Sequence, residues 1–312
     1  MLKTAGIHHI TAIVNDPQVN VDFYANVLGL RLVKKTVNFD KPEVYHLYFG
    51  NSFGDPGTII TFFPWPKLPK GRIGSKQVGT TGYAIPPGSM DFWKNRLQQK
   101  GISFTIHSRF YETYLQFQDP DGLQIELVER SAGAENSWRT DKIKSEHAIK
   151  GFSGVTLYSM QPYETADVLE NILGMDFVTQ EDDYLRFRTQ GSLGNSIDIK
   201  LSPSVRGLAG AGVVHHIAWR AKDEAELRQW QELLETKNLK PTECKDRNYF
   251  KAVYFQEAGG TLFEIATDPP GFAVDETPEE LGTTLMLPDW LESRRKEFEQ
   301  ILPPIEVEGK EE

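Results

Sequence analysis

The chain has 312 residues, a formal net charge of −10 at pH 7 and one cysteine, Cys244. The acidic balance and the lack of a basic face argue against nucleic acid as a partner. A single cysteine excludes an intrachain disulfide and suits a reducing compartment, and no apolar run is long enough to span a bilayer, so a cytoplasmic protein without a membrane role is expected.

In chain order, one unit recurs four times: a strand, a helix, then three strands. The first copy opens with a strand at Gly6–Val14. Asn15, Asp16 and Pro17 are helix-start residues, and Val19, Phe23, Val27 and Leu30 recur at helical spacing up to Gly29. Strands are predicted at Arg31–Val37, Val44–Gly50 and Thr58–Phe63. The second copy begins at Gly79–Ile85. Ser89 is placed to cap a helix carrying Phe92, Trp93 and Leu97 that stops at Gly101. Strands follow at Ser103–Phe110, Tyr114–Asp119 and Leu123–Glu129, the last two joined by the turn Asp119-Pro120-Asp121-Gly122.

The third copy begins at Gly151–Met160, with a helix over Tyr163–Leu173 and strands at Met175–Gln180, Tyr184–Thr189 and Ser196–Leu201. The fourth begins at Val213–Ala221. Asp223 with Glu226 forms a capping box for a helix carrying Leu227, Trp230 and Leu234. Strands follow at Pro241–Lys245, Lys251–Gln256 and Thr261–Thr267, with Gly259-Gly260 read as the hairpin turn between the last two. Ser131–His147 is a polar connection. Asp268–Pro288 leads to a helix at Asp289–Leu302, ended by Pro303-Pro304, and the terminal GKEE is expected to be disordered.

A βαβββ unit cannot bury both faces of its sheet alone, but two side by side close a cup. The expected fold class is therefore α+β, four βαβββ modules paired into two cup-shaped barrels. Residues 1–70 and 205–275 are expected to pair as the metal-bearing barrel. Residues 76–131 and 148–203 are expected to form a metal-free barrel, with 276–312 as a C-terminal tail.

Aligning the four copies brings the chemistry out. The first strands read His8-His9-Ile10-Thr11 and His215-His216-Ile217-Ala218 in copies one and four, with Gly82 and Gly154 at the positions of His9 and His216. On the last strands, Glu264, Glu126, Asp198 and Thr61 each follow a turn glycine by four residues. A carboxylate in mid-strand is a poor packing choice and needs a cation, a hydrogen-bond donor or water. A lone strand histidine is more often packed or solvated than ligating. Two recurring at one repeat position, opposite a strand glutamate, favour a metal site of His9, His216 and Glu264, the two-histidine, one-carboxylate set of non-haem Fe(II) centres. Glu126 and Asp198 have no such histidines and are read as structural or solvated.

The stretches GIHHITAI, YHLYFGN, GTIITFFPWP, GVVHHIAW, DRNYFKAVYF and GGTLFEIATDPPGF resemble the vicinal-oxygen-chelate superfamily, the glyoxalase and extradiol dioxygenase group, over nearly the whole chain. They are closest to hydroquinone ring-cleaving dioxygenases and the methylhydroquinone-induced dioxygenase group of bacilli. The resemblance implies Fe(II), with Mn(II) as the alternative, at His9, His216 and Glu264, and opening of a hydroquinone or catechol-type aromatic diol with O2. It implies outer-shell roles for Arg247 and Tyr254. His8, Thr11 and His215 match as well. Thr11 shares parity with His9 and can line the pocket, whereas His8 and His215 have opposite parity and are expected to pack or to hydrogen-bond behind the metal. Thr61, where related isomerases carry another base, favours a dioxygenase over a metal-dependent isomerase, lyase or thiol transferase. A non-catalytic aromatic-binding resistance protein is the third reading, and homo-oligomer formation is left open.

Overall fold

The computed structural model describes residues 2–140 and 142–307; the expectation for the terminal GKEE falls outside them. The first module comprises β1 (Ile7–Val14), α1 (Pro17–Val21), β2 (Arg31–Asn38), β3 (Lys41–Gly50) and β4 (Ile59–Pro64). The second comprises β5 (Gln77–Ile85), α2 (Met90–Gln99), β6 (Phe104–Arg109), β7 (Glu112–Gln118) and β8 (Gln124–Glu129). The third comprises β9 (Gly151–Tyr158), α3 (Pro162–Asp167), β10 (Asp176–Glu181), β11 (Tyr184–Arg188) and β12 (Ser196–Lys200). The fourth comprises β13 (Val213–Ala221), α4 (Glu224–Thr236), the short β14 (Lys245–Asp246), β15 (Phe250–Gln256) and β16 (Leu262–Pro270).

The strands form two curled eight-stranded sheets, a mixed α+β arrangement. One has the order β14-β15-β16-β13-β1-β4-β3-β2 and the other β10-β11-β12-β9-β5-β8-β7-β6. In each, two first strands meet antiparallel at the centre, β1 with β13 and β5 with β9, and each is flanked by its own module's last strand in parallel. Both sheets bury apolar faces in a common core that includes Ile10, Phe62, Trp93, Phe152, Trp219 and Trp230. Leu227, Trp230 and Leu234 form the buried stripe of α4, as helical spacing requires.

Local details depart from the sequence reading where tertiary contacts outbid local preference. The first and third helices each widen after a short α segment into a π-helical turn, Asp22–Val27 and Val168–Ile172. Ser89 does not cap α2; its hydroxyl donates to the Glu146 carbonyl, while the Glu129 carboxylate accepts from the Met90 N–H at 3.0 Å. The connection from β15 to β16 is longer than a two-glycine turn. Buried Glu257 folds it by accepting from the N–H groups of Gly259 and Thr261, each at 2.7 Å, and from the Thr165 hydroxyl at 2.6 Å. The predicted strand over Pro241–Lys245 reduces to Lys245–Asp246. The final helix is split into α5 (Asp289–Glu292) and α6 (Arg295–Ile301).

A strap after β16 ties the two edges of the first sheet together. Lys34 on edge strand β2 is fully buried and donates to Asp275 and Glu276, each at 2.5 Å, and Asp275 also accepts from Tyr249 at 3.0 Å. The second sheet is filled by a different device. Arg109 donates to Asp198 at 2.7 Å and to both oxygens of Glu126 at 3.0 and 2.7 Å, and Arg186 pairs with Asp198 at 2.7 and 2.8 Å. Glu126 and Asp198 are both buried, so they are structural and not solvated.

Burial alone would raise the Glu126 carboxyl, but the His107 hydrogen bond and the Arg109 charge outweigh it and hold its pKa below the ordinary value. A depressed folded pKa contributes stability above the unfolded value and loses it as pH falls through the folded one. Arg109→Ala, which takes the guanidinium from buried Glu126 and leaves Asp198 with Arg186 alone, is expected to cost about 3–5 kcal/mol in urea unfolding at pH 7. The gap to the parent should shrink below about pH 4, where both unfolded and folded carboxylates take up protons. An unchanged midpoint at pH 7 would show that the network does not support the fold.

Candidate metal centre

The central pair of strands sets the site. In the antiparallel β1–β13 register Thr11 faces His216 and His9 faces Ala218, so the two histidines come from adjacent strands at the middle of the cup. Next to β13 lies β16, where Glu264 pairs with Ala218. His9, His216 and Glu264 are all buried, at 2%, 5% and 0% exposure, and each offers a ligand atom to one small volume. His216 Nε2 is 2.9 Å and His9 Nε2 3.3 Å from Glu264 Oε2, and the two Nε2 atoms are 3.4 Å apart.

Those separations match what a cation would require. Ligands about 2.1 Å from a common centre at right angles stand about 3 Å apart. Neither Glu264 oxygen makes a hydrogen bond of acceptable geometry, despite the short approach of His216. The three groups aim at a shared point, and a buried carboxylate left so would be costly without a cation there. Burial opposes ionisation of Glu264, but in the metal-free protein the adjacent His9 and His216 hold its pKa well below the usual carboxylate range. Burial also keeps the His216 pKa below its ordinary value, despite Glu264, which favours the neutral imidazole a metal needs.

Buried His8 stands behind His9, whereas His215, expected to pack or hydrogen-bond behind the metal, is exposed at the cavity wall beside His216. His8 Nδ1 lies 2.9 Å from His9 Nδ1, and His215 Nδ1 lies 2.8 Å from His216 Nδ1. Each contact engages Nδ1 and leaves Nε2 toward Glu264; with His9 and His216 donating from Nδ1, Nε2 is free to hold a metal. The β1 register shift between Ile7 and His9 accompanies the first of these contacts. Thr11, expected to line the pocket, is instead wholly buried, its hydroxyl 2.8 Å from that of Thr61. Strand parity puts Thr11 on the same face as His9, but Thr61, 50 residues on, takes its hydroxyl as a partner.

A cavity of about 310 Å³ opens on His9 and His216. That is at the small end of the range for small-molecule pockets, about 300–1,000 Å³. Phe39, Phe63, Trp65 and Phe250 give it aromatic walls, and His215 borders it. Arg247 and Tyr254 share one side, with Arg247 Nε donating to the Tyr254 hydroxyl at 3.2 Å and Nη1 to Asp40 at 3.1 Å. Burial, and then the charge of Glu264, raise the Tyr254 pKa well above that of a free phenol, so it stays protonated. His46 and Tyr48, also in the wall, escaped the sequence reading. The signal was present in the repeat, because Tyr48 pairs with Thr61 as Tyr254 pairs with Glu264.

Residues 6–127 and 151–275 match the model of the Glyoxalase/Bleomycin resistance protein/Dioxygenase superfamily. The chain is 56% identical, over 98% of both chains, to a Bacillus subtilis protein named "Putative ring-cleaving dioxygenase MhqO". It is 31% identical, over 95% of each, to the chlorohydroquinone/hydroquinone 1,2-dioxygenase of Sphingobium indicum. A crystal structure titled as a putative dioxygenase from Bacillus subtilis superposes with a TM-score of 0.97 at 55% identity, covering 98% of this chain and 99% of that one. Among the described residues no helix is long and apolar enough to cross a membrane.

If the triad binds a divalent cation, metal added to stripped protein should raise the melting temperature by mass action. Glu264→Gln keeps the shape and removes the charge, and is expected to abolish most of that rise and most bound metal by elemental analysis. Full occupancy in the variant would reject Glu264 as a ligand.

Proposed function

The chain belongs to the Glyoxalase/Bleomycin resistance protein/Dioxygenase superfamily, and from that premise we propose that it is a ring-cleaving dioxygenase acting on a hydroquinone or catechol-type aromatic diol. The observation that carries the reading is the His9–His216–Glu264 triad, its buried carboxylate without a hydrogen bond and its two histidines lining a small cavity with aromatic walls. The names of the relatives, among them a hydroquinone 1,2-dioxygenase and a protein named for ring cleavage, point the same way. On this reading the first and fourth modules form the metal-bearing barrel and the second and third a metal-free one. The metal is Fe(II), with Mn(II) accepting the same ligands.

His9 and His216 would hold the metal through neutral nitrogens and Glu264 through a charge that offsets it. When bound, the metal supplies Lewis acidity and a meeting place for diol and dioxygen. The remaining work falls to side chains. Phe39, Phe63, Trp65 and Phe250 enclose the substrate ring and exclude water. The Arg247 guanidinium stabilises negative charge on the substrate oxygen as its proton leaves. Tyr254, protonated and hydrogen-bonded to Arg247, holds a proton at its hydroxyl in the cavity and can donate it. His8 and His215 keep the two ligand rings oriented. Thr61, at the repeat position of Glu264, is engaged by Thr11 and His46, each at 2.8 Å, which leaves no base there for an isomerase.

The test is an oxygen electrode. Iron-reconstituted protein should consume O2 with a hydroquinone or a catechol, and metal-stripped protein should not. No uptake across a panel of both diol classes would leave an isomerase or a binding protein. Within this reading, Tyr254→Phe should retain iron yet slow turnover by about 10- to 1000-fold. Stopped-flow traces that match the parent at every step would make Tyr254 a packing residue.

A further inference from the structure

The order of strands in the first sheet is symmetric about its centre, so β3 of the first module corresponds to β15 of the fourth. Tyr254 on β15 sits opposite Glu264, and Tyr48 on β3 sits opposite Thr61. The equivalent positions in the other sheet are Gln116 opposite Glu126 and Arg186 opposite Asp198. Tyr48 is therefore the repeat counterpart of Tyr254, and both line the cavity. One faces the carboxylate module and the other the module in which threonine replaces the carboxylate.

Tyr48 is held by a chain running through half-buried His46 to buried Thr61 and Thr11. Its hydroxyl lies 2.8 Å from His46 Nδ1, His46 Nε2 lies 2.8 Å from Thr61 Oγ1, and Thr61 Oγ1 lies 2.8 Å from Thr11 Oγ1. A neutral imidazole donates from one nitrogen and accepts at the other, so both His46 nitrogens are used inside the chain. A phenol has one donor and two acceptor positions, and His46 takes one of them. Whichever way the chain is polarised, Tyr48 keeps a free position. It accepts from a substrate hydroxyl if it donates to Nδ1, and donates if it accepts from Nδ1.

A diol with adjacent hydroxyls can bring both oxygens to one metal and leaves none for the wall. A diol with hydroxyls across the ring leaves one oxygen over, inside an aromatic cavity where an unpaired hydroxyl is costly. We propose that Tyr48, oriented by His46, hydrogen-bonds the substrate hydroxyl that the metal does not hold, and so favours a 1,4-diol over the same ring without that second hydroxyl. Tyr48 is then a residue that touches substrate, and His46 is a positioning residue that acts through it. This inference rests on the aromatic-diol reading of the site.

The test is anaerobic binding of hydroquinone, catechol and phenol to Mn(II)-loaded protein, followed by intrinsic fluorescence. The parent should prefer hydroquinone to phenol by about 5- to 10-fold, the worth of one hydrogen bond. Tyr48→Phe should lose that preference while phenol and catechol affinities stay within about 2-fold. His46→Phe should weaken hydroquinone binding similarly, and the double variant should lose no more than Tyr48→Phe alone, whereas independent packing defects would add. The proposal is overturned if Tyr48→Phe keeps the preference, or if it weakens phenol as much as hydroquinone. Should that variant fail to fold, the parent decides: equal affinity for phenol and hydroquinone overturns the proposal. Binding without oxygen is independent of ring cleavage. An oxygen-electrode failure with the hydroquinone preference intact therefore counts against the dioxygenase reading alone, and a lost preference with oxygen uptake intact counts against Tyr48 alone.

Discussion

A carboxylate with no exposure to water and no hydrogen-bond donor is the constraint on which the first sheet depends. Glu264 sits in mid-strand at 0% exposure with both oxygens unsatisfied. Ionised and unpaired it would cost several kcal/mol. The two histidines that face it are turned by their neighbours so that nitrogen lone pairs, not N–H groups, can point inward. A carboxylate and two lone pairs aimed at one point repel unless a cation lies between them. The buried position of Glu264, the paired histidines and the aromatic cavity above them fit the cation proposed for that point.

The second sheet meets the same constraint and answers it with protein alone. Glu126 and Asp198 occupy the repeat positions of Glu264 and Thr61, and the Arg109 guanidinium lies between them, bonded to both. Where the first sheet has His9 and His216, the second has Gly82 and Gly154. A Cβ at Gly154 would stand 1.7 Å from the Ser196 carbonyl oxygen, and one at Gly82 2.6 Å from the Ser153 hydroxyl. An imidazole at Gly154 would force the strands apart, and one at Gly82 would have to displace the Ser153 side chain. One duplicated framework thus carries two ways of neutralising buried acid. A fixed guanidinium fills its cup and is permanent. Two imidazoles beside a carboxylate would instead hold an exchangeable cation on the proposed reading.

Much of this was legible because the chain repeats itself. Four helix-and-strand modules, the two eight-stranded sheets they build and the convergence of His9, His216 and Glu264 follow from aligning first and last strands; that the three hold a metal is the proposal built on them. The rest depends on contacts distant in sequence. Nothing local shows that Glu257 folds the turn before β16, because its partner Thr165 lies 92 residues away. Nor does local sequence show that Lys34 binds Asp275, 241 residues on. Strand parity put Thr11 on the correct face but not against Thr61. His46 and Tyr48 were passed over because YHLYF reads as an ordinary buried strand, and only pairing its tyrosine with Thr61 reveals the likeness to Tyr254 and Glu264.

The central claim is that one cation belongs between the first and fourth modules, held by Glu264 and the two inward-turned histidines. Anomalous-scattering crystallography of protein loaded with Fe(II) or Mn(II) under anaerobic conditions tests it most directly. The account predicts one strong peak per chain, about 2.0–2.2 Å from His9 Nε2, His216 Nε2 and a Glu264 oxygen. A peak beside Glu126 and Asp198 instead, or metal-loaded crystals with no peak at the triad, would contradict it.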